Sequence, residues 1–258
     1  MLPKISLLVV TYLESNQKYL DLCLKSILNL NYPKECIDVL VVSSGAYEPT
    51  TMGFRAMHSD ERLHYPSGVN YGVKHLDKDS KHILLLNDDV ILHKDCLLNM
   101  VRVAGEHEVI INPVSNCDQD WAFRFPIGFV RNGVYTDLPK RFYRYEDTAH
   151  IAEHIMNDMY IRPTGIIFRK FICFYCTLIP RKVWDKVGGL DDKFLTGCDD
   201  LDYSLRCKQY NIPAVIEESA FCLHHGGTTA DQTLTTDIRN YNEKYFFEKW
   251  GKWPAAFH

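Results

Sequence analysis

The sequence has no apolar run approaching the roughly 20 residues that a membrane-crossing helix needs. It also lacks the basic start and long apolar core of a secretory leader, since Met1 to Ile5 runs straight into an apolar segment. Charge of one sign is not in excess. Lys and Arg number 29 against 33 Asp and Glu, a formal net charge of -4, so no global field draws the chain to nucleic acid or acidic membranes. No internal repeat or low-complexity tract appears, which excludes solenoids and arrays. The nine cysteines are odd in number and scattered, which fits free thiols in a reducing, cytoplasmic compartment. Cys173 and Cys176 form a CxxC inside the apolar run Phe171 to Ile179, but no second close pair completes a zinc site.

What is present is ordinary globular composition, 46% hydrophobic and 24% charged over 258 residues. That length suits one sizeable α/β domain. Ile5 to Val10 is a run rich in β-branched residues and Leu, and Ile37 to Val42 is a second such segment, the pattern of buried parallel strands. Between them, Tyr19, Leu20, Cys23, Leu24, Ile27 and Leu28 share one helical face. Short helices are expected over 51–59 and 68–76, a strand over 82–86, a helix over 95–105 and a strand over 109–111. Strands alternating with helices over the first 110 residues imply a Rossmann-like, mostly parallel sheet flanked by helices. Beyond 165 the pattern predicts a strand within 166–179, helices over 180–187 and 201–210, short strands over 214–216 and 220–223, and an aromatic-rich helix over 235–250. The whole reads as a single domain, 1–258: a nucleotide-binding half to 110, a variable segment over 111–165 and an acceptor or catalytic half from 166.

In such sheets ligands bind outside the carboxyl ends of the strands. Asn87-Asp88-Asp89 stands at one of these ends, after Ile83 to Leu86. Charge at the edge of an apolar strand costs desolvation energy unless compensated, and a hard divalent cation is the usual compensator. The bland alternative is a strand-ending turn, for which Asn and Asp are suited. Thr11-Tyr12 and Ser43-Ser44 occupy two further strand ends, so three ends bring polar groups to one crevice. A second acidic cluster comprises Asp191-Asp192 and Asp199-Asp200-Leu201-Asp202. Helix capping and first-turn charge explain one or two of these acids, and crowded carboxylates also make a general base near neutrality. His224-His225 leaves a strand into a Gly-rich loop. Adjacent residues there point in different directions, so one of the two serves a mixed N/O metal site. The segment 124–144 carries Arg124, Arg131, Lys140, Arg141 and Arg144, interleaved with Phe125, Phe129, Tyr135, Phe142 and Tyr143. That composition suits stacking on sugars or bases and holding phosphates.

Taken together these residues resemble family 2 glycosyltransferases of the GT-A fold. Ile5 to Tyr12 is similar to the family's first strand and nucleotide-binding turn. Gly68-Val69-Asn70-Tyr71-Gly72 is similar to its Gly-x-Asn-x-Gly helix start, and Leu84 to Val90 to the strand ending in a DxD-type metal motif. Gly188-Gly189-Leu190-Asp191, then Asp199 to Arg206, is similar to its GGFDE…EDxDLxxR stretch, and His224 to Thr228 to its HxGG(S/T) ending. The resemblance implies an inverting, metal-dependent hexosyltransferase that takes a nucleotide sugar, with UDP-sugar as the expected donor and Mn²⁺ or Mg²⁺ as the metal. It implies that Thr11, Tyr12, Glu14, Ser43, Ser44, Asn70, Asn87 and Asp88 bind the donor. It further implies that Asp89 and His224 hold the metal, that Asp200 deprotonates the acceptor hydroxyl, and that Asp199, Arg124 and Trp121 contact the acceptor. Acceptors of the family are sugars on lipids, polysaccharides or proteins, and the basic aromatic segment adds modified nucleic acid as an alternative. Three departures stand out. Ser43-Ser44 replaces the aspartate that reads the base, Asn87 replaces the first aspartate of the metal tripeptide, and Asp199 replaces a glutamate. A binding domain without activity is a competing reading, but it has no need of Asp200. A nucleotidyltransferase is another, but Thr11-Tyr12-Leu13-Glu14 offers it neither glycine nor lysine for a phosphate loop.

Overall fold

The computed structural model describes residues 2–105, 107–115, 128–131, 134–137, 165–226 and 234–253. The first half runs β1 (Ile5–Thr11), α1 (Gln17–Leu28), β2 (Ile37–Ser44), β3 (Arg55–Ser59), α2 (Tyr65–Val73), β4 (His82–Asn87), β5 (Val90–Leu92), α3 (Cys96–Ala104) and β6 (Ile110–Ser115). β7 (Gly128–Arg131) and β8 (Val134–Asp137) pair as a separate antiparallel ribbon. The chain continues with β9 (Ile166–Arg169), β10 (Cys176–Pro180), α4 (Arg181–Val187), α5 (Asp199–Gln209), β11 (Ala214–His224) and α6 (Thr236–Trp250).

The main sheet has the order β3-β2-β1-β4-β10-β6-β11-β5, with β9 also pairing with β11. Its first four strands are parallel to one another. β10 enters antiparallel beside β4, and β11 runs parallel to β6 but antiparallel to β5 and β9. Side chains alternate faces along each strand. On β1, Ile5, Leu7 and Val9 join the core under α1 and α3, while Leu8 and Val10 join the one under α2, α4 and α5. A strand covered on both faces carries an unbroken apolar run for that reason. Gly72 shows how closely α2 lies on the sheet, because a Cβ there would sit 2.5 Å from Leu8 Cδ1 and 3.0 Å from Val42 Cγ2.

Three expected elements differ. Residues 55–59 form a strand rather than part of a helix, because Arg55 to Ser59 pairs in parallel with Leu40 to Ser44 at the sheet edge; pairing overrides the weak local pattern. The apolar run over 166–179 divides into β9 and β10, which pair with different strands. Conversely, the two short strands expected over 214–223 are one strand, β11, with an irregularity between Glu217 and Phe221. Among the described residues no helix is long and apolar enough to cross a membrane.

Candidate active site

The carboxyl ends of β1 and β4 lie side by side, with Val10 opposite Asn87. The turn after β4 carries Asp88 and Asp89, each only 4% exposed. Asp88 is held inward, its Oδ2 accepting hydrogen bonds from Thr11 Oγ1 at 2.7 Å and Asn16 Nδ2 at 3.1 Å. Burial, then the adjacent Asp89 charge, pushes the Asp88 carboxyl up to about 7. β5 turns back against β11, bringing His224 opposite Val90. His224 Nε2 then lies 3.2 Å from Asp89 Oδ1, and the ring stacks on Tyr175 at 5.3 Å. His225 turns the other way: its backbone N–H donates to the Asp89 carbonyl at 3.1 Å, and its ring packs on Tyr19 at 4.5 Å. Burial pulls its imidazole down to about 4, which keeps it neutral. Of the two histidines, His224 is the one that faces the acidic turn.

The donor pair fits a divalent cation. Adjacent corners of an octahedral shell with ligands at ~2.1 Å are about 3 Å apart, close to the 3.2 Å between Asp89 Oδ1 and His224 Nε2. Mixed carboxylate and imidazole donors suit Mn²⁺. Among the described residues no group of three or more His, Cys, Asp or Glu side chains gathers to hold a metal unaided. The rest of a shell at Asp89 and His224 therefore falls to ligand oxygens and water, as in sites that share their metal with substrate phosphates.

The second acidic cluster divides by destination. Gly197 (φ 92°) and Cys198 (φ 66°) turn the chain into α5, and the Gly197 N–H donates to Asp199 Oδ1 at 3.0 Å. The Leu201 N–H donates to Asp200 Oδ1 at 2.8 Å. Burial, then the charge of Asp200, pushes the Asp199 carboxyl up to about 7, and burial likewise raises Asp200. Both line the cleft. Asp191 and Asp202 instead anchor α6. Lys249 Nζ lies 2.7 Å from Asp191 Oδ2 and 2.6 Å from Asp202 Oδ1, and Trp250 Nε1 donates to Asp202 at 3.0 Å. Asn242, also on α6, donates to the Thr196 carbonyl at 2.6 Å and accepts from the Leu195 N–H at 3.1 Å. The C-terminal helix thus holds the loop that delivers Asp199 and Asp200.

These groups converge. Tyr12, Asn87, Asp88, Asp89, Asp199, Asp200 and His224 line one cleft of about 230 Å³. Glu14 and Ser44 line an adjoining space of about 840 Å³, and Tyr12 and Arg62 line both. Three residues expected at the donor stand behind it. Thr11 is fully buried and holds Asp88. Ser43 is buried, with its hydroxyl 2.9 Å from His58 Nδ1. Asn70 clamps Leu190, accepting from its N–H at 2.9 Å and donating to its carbonyl at 2.7 Å. Gly189 is required beside that clamp, since a Cβ there would lie 2.5 Å from Asn70 Oδ1. The Gly-x-Asn-x-Gly and Gly-Gly-Leu-Asp stretches therefore meet as one packing contact. Arg124 and Trp121 lie outside the described residues. Sequence reasoning passed over Arg62, His64, Tyr65 and Phe174, which also line the cleft. Only Pro66, at the start of α2, signalled that the preceding loop ends at a helix mouth.

Comparison with known proteins agrees with this geometry. No protein of curated function matches the sequence. Among solved structures, the mannosyltransferase PcManGT from Pyrobaculum calidifontis, in complex with GDP-Man and Mn²⁺, superposes with a TM-score of 0.65 at 16% identity, covering 100% of this chain and 67% of that one. GalNAc-T7 with UDP, GalNAc and Mn²⁺ superposes with a TM-score of 0.62 at 10% identity, covering 86% of this chain and 44% of that one. At such identities the likeness is one of fold, and that fold is GT-A. Residues 3–243 match the family described as glycosyltransferase like family 2, and the chain belongs to that family.

Proposed function

We propose that this chain is an inverting hexosyltransferase that moves a sugar from a nucleoside diphosphate sugar, UDP-sugar in the first instance, to an acceptor hydroxyl. One observation carries the reading. Asp89 and His224, 3.2 Å apart, and Asp200 line the same cleft of about 230 Å³. Asp89 and His224 would hold a divalent cation, which when bound would supply positive charge beside the departing nucleoside diphosphate. The chain's own residues do the rest. Tyr12 and Glu14 border the nucleoside. Arg62, at the junction of the two spaces, is placed to meet diphosphate oxygens, to which a guanidinium binds strongly. Asp200 accepts the acceptor's proton as its oxygen attacks the anomeric carbon and the bond to the diphosphate breaks. Burial raises the Asp200 carboxyl, which strengthens it as a base. A single displacement from the face opposite the leaving group inverts the anomeric centre.

Donor and metal are tested together by a thermal-shift panel of nucleoside diphosphates and nucleotide sugars, each with and without Mn²⁺, since ligands that bind the native state raise its melting temperature. The reading expects a metal-dependent shift, and no shift with any nucleotide overturns it. Asp200→Asn is expected to abolish transfer, read as sugar-nucleotide turnover, while leaving the donor-induced shift in place. That split also decides against a binding domain without activity, in which Asp200 has no task. The acceptor is taken to be a carbohydrate, glycolipid or glycoprotein hydroxyl. The segment 124–144, which carries the alternative of a modified nucleic acid acceptor, lies largely outside the described residues.

A further inference from the structure

The position after β2 holds Ser43 and Ser44, and neither hydroxyl is well placed to read a nucleobase. Ser43 is 2% exposed and does not line the space beside the cleft. Ser44 lines it, but its hydroxyl accepts the Leu63 N–H at 3.0 Å. The neighbouring strand supplies another group. His58 on β3 lies in register with Ser43. Its Nδ1 is 2.9 Å from Ser43 Oγ, which fixes the ring. Its side chain is 23% exposed and borders the same space as Tyr12, Gly45, Tyr47 and Asp60. With Nδ1 engaged, Nε2 is the nitrogen left for a ligand. Asp60 Oδ1 lies 3.9 Å from that nitrogen, beyond hydrogen-bond reach. In the tautomer protonated at Nε2, Ser43 donates to Nδ1 and the Nε2–H faces a ligand as a donor.

We propose that His58 reads the donor's base, its Nε2–H donating to a ring carbonyl oxygen and so selecting oxo bases, uracil or guanine, over the amino bases cytosine and adenine. The inference rests on the donor reading above. A carboxylate at a base-reading position only accepts hydrogen bonds. An imidazole N–H gives one, and an exocyclic amino group facing it leaves two donors opposed. A site built to bond one polar group rejects the analogue that lacks it.

The test is titration calorimetry of the full chain with Mn²⁺ and UDP, CDP, GDP and ADP. UDP and CDP share the ribose, the diphosphate and the 2-oxo group, and differ at the base's 4-position and in the proton on N3. Wild type is expected to bind UDP over CDP, or GDP over ADP, by about tenfold or more, since a donor left facing a donor loses its hydrogen bond. His58→Ala is expected to bring that ratio to within about threefold, and Ser43→Ala, which frees the ring without touching the ligand, to lower it in part. His58→Gln, which keeps an N–H donor, guards against a folding defect and retains the preference. Equal binding of oxo and amino nucleotides by wild type overturns the inference, as does an unchanged ratio in folded His58→Ala. Failure of all four to bind overturns the donor reading instead.

Discussion

Lys249→Met tests whether α6 holds the acidic loop in place. The ammonium bridges Asp191 at 2.7 Å and Asp202 at 2.6 Å. Asp202 is fully buried, while the Lys249 side chain is 26% exposed. Removing one partner of a fully buried ion pair costs about 3–5 kcal/mol, because the other charge is left uncompensated. Two features reduce the figure here. Asp202 keeps donors from Arg206 Nε at 2.9 Å and Trp250 Nε1 at 3.0 Å, and the Lys249 head retains some water, which screens it. A loss of about 2 kcal/mol follows, and at this chain length each kcal/mol lowers Tm by about 2–4 °C. The expected drop is therefore roughly 4–8 °C by calorimetry. Hydrogen exchange adds a local signature, because the Leu195 N–H donates to Asn242 Oδ1 and should lose protection as the helix end loosens. A variant that melts within about 1 °C of wild type, with exchange unchanged at Leu195, refutes the clamp. A combined Lys249→Met and Asp191→Asn variant sharpens the reading. If Lys249 acts through both carboxylates, the two losses are not additive.

Asp89→Asn is expected to remove the Mn²⁺-induced rise in Tm, and His224→Ala to weaken it; an unaltered Mn²⁺ titration in both takes the metal away from that pair. Gly189→Ala drives a methyl against Asn70 Oδ1, 2.5 Å away, and is expected to cost about 1–3 kcal/mol as an overpacked contact. Urea denaturation measures this, and a neutral result means that Asn70 yields without loss. A pH series probes Asp199, raised to about 7 by burial and then by Asp200. The native state holds that proton to higher pH than the unfolded chain, where the carboxyl titrates at about 3.9. Native protons exceed unfolded ones between those values, so this group's contribution to stability falls as pH rises through the window. Asp199→Asn is expected to flatten the decline of the metal-free Tm from pH 5 to pH 8, relative to wild type. A parallel decline in the variant assigns it elsewhere.

The parallel half of the fold was legible because burial on both faces writes a continuous signal. Ile5 to Thr11 is buried at every residue, and the one polar side chain inside the run, Ser6, is small and bonded to Ser80 at 2.8 Å. β3 was not legible for the opposite reason. Arg55 and Ala56 are exposed, and what makes 55–59 a strand is its register with β2, a partner that local periodicity does not contain. β11 carries Glu217 and Glu218 in mid-strand, which read as a turn between two strands. Glu217 is 5% exposed and bonds the Ser219 N–H at 3.0 Å, absorbing the charge at the irregularity. The strand therefore continues where its sequence suggests a stop.

The site shows the same division in sharper form. Asp89, Asp200 and His224, which line one cleft, stand out in the sequence because each breaks a local expectation, a charge or an imidazole at the end of an apolar strand or a helix mouth. Composition could not separate Asp199 and Asp200 from Asp191 and Asp202, since all four are acids within twelve residues. What separates them is α6, some fifty residues on, whose Lys249 and Trp250 claim Asp191 and Asp202 and leave the other two facing the cleft. Asn70 carries the same lesson in reverse. It reads as a ligand contact and proves to be the clasp between α2 and Leu190, where Gly189 is small so that the clasp can close. His58 keeps Nε2 toward the space beside the cleft, while Nδ1 lies against Ser43. That is why a strand-edge histidine without any motif around it is the stronger candidate for reading the base than the serines that occupy the expected position.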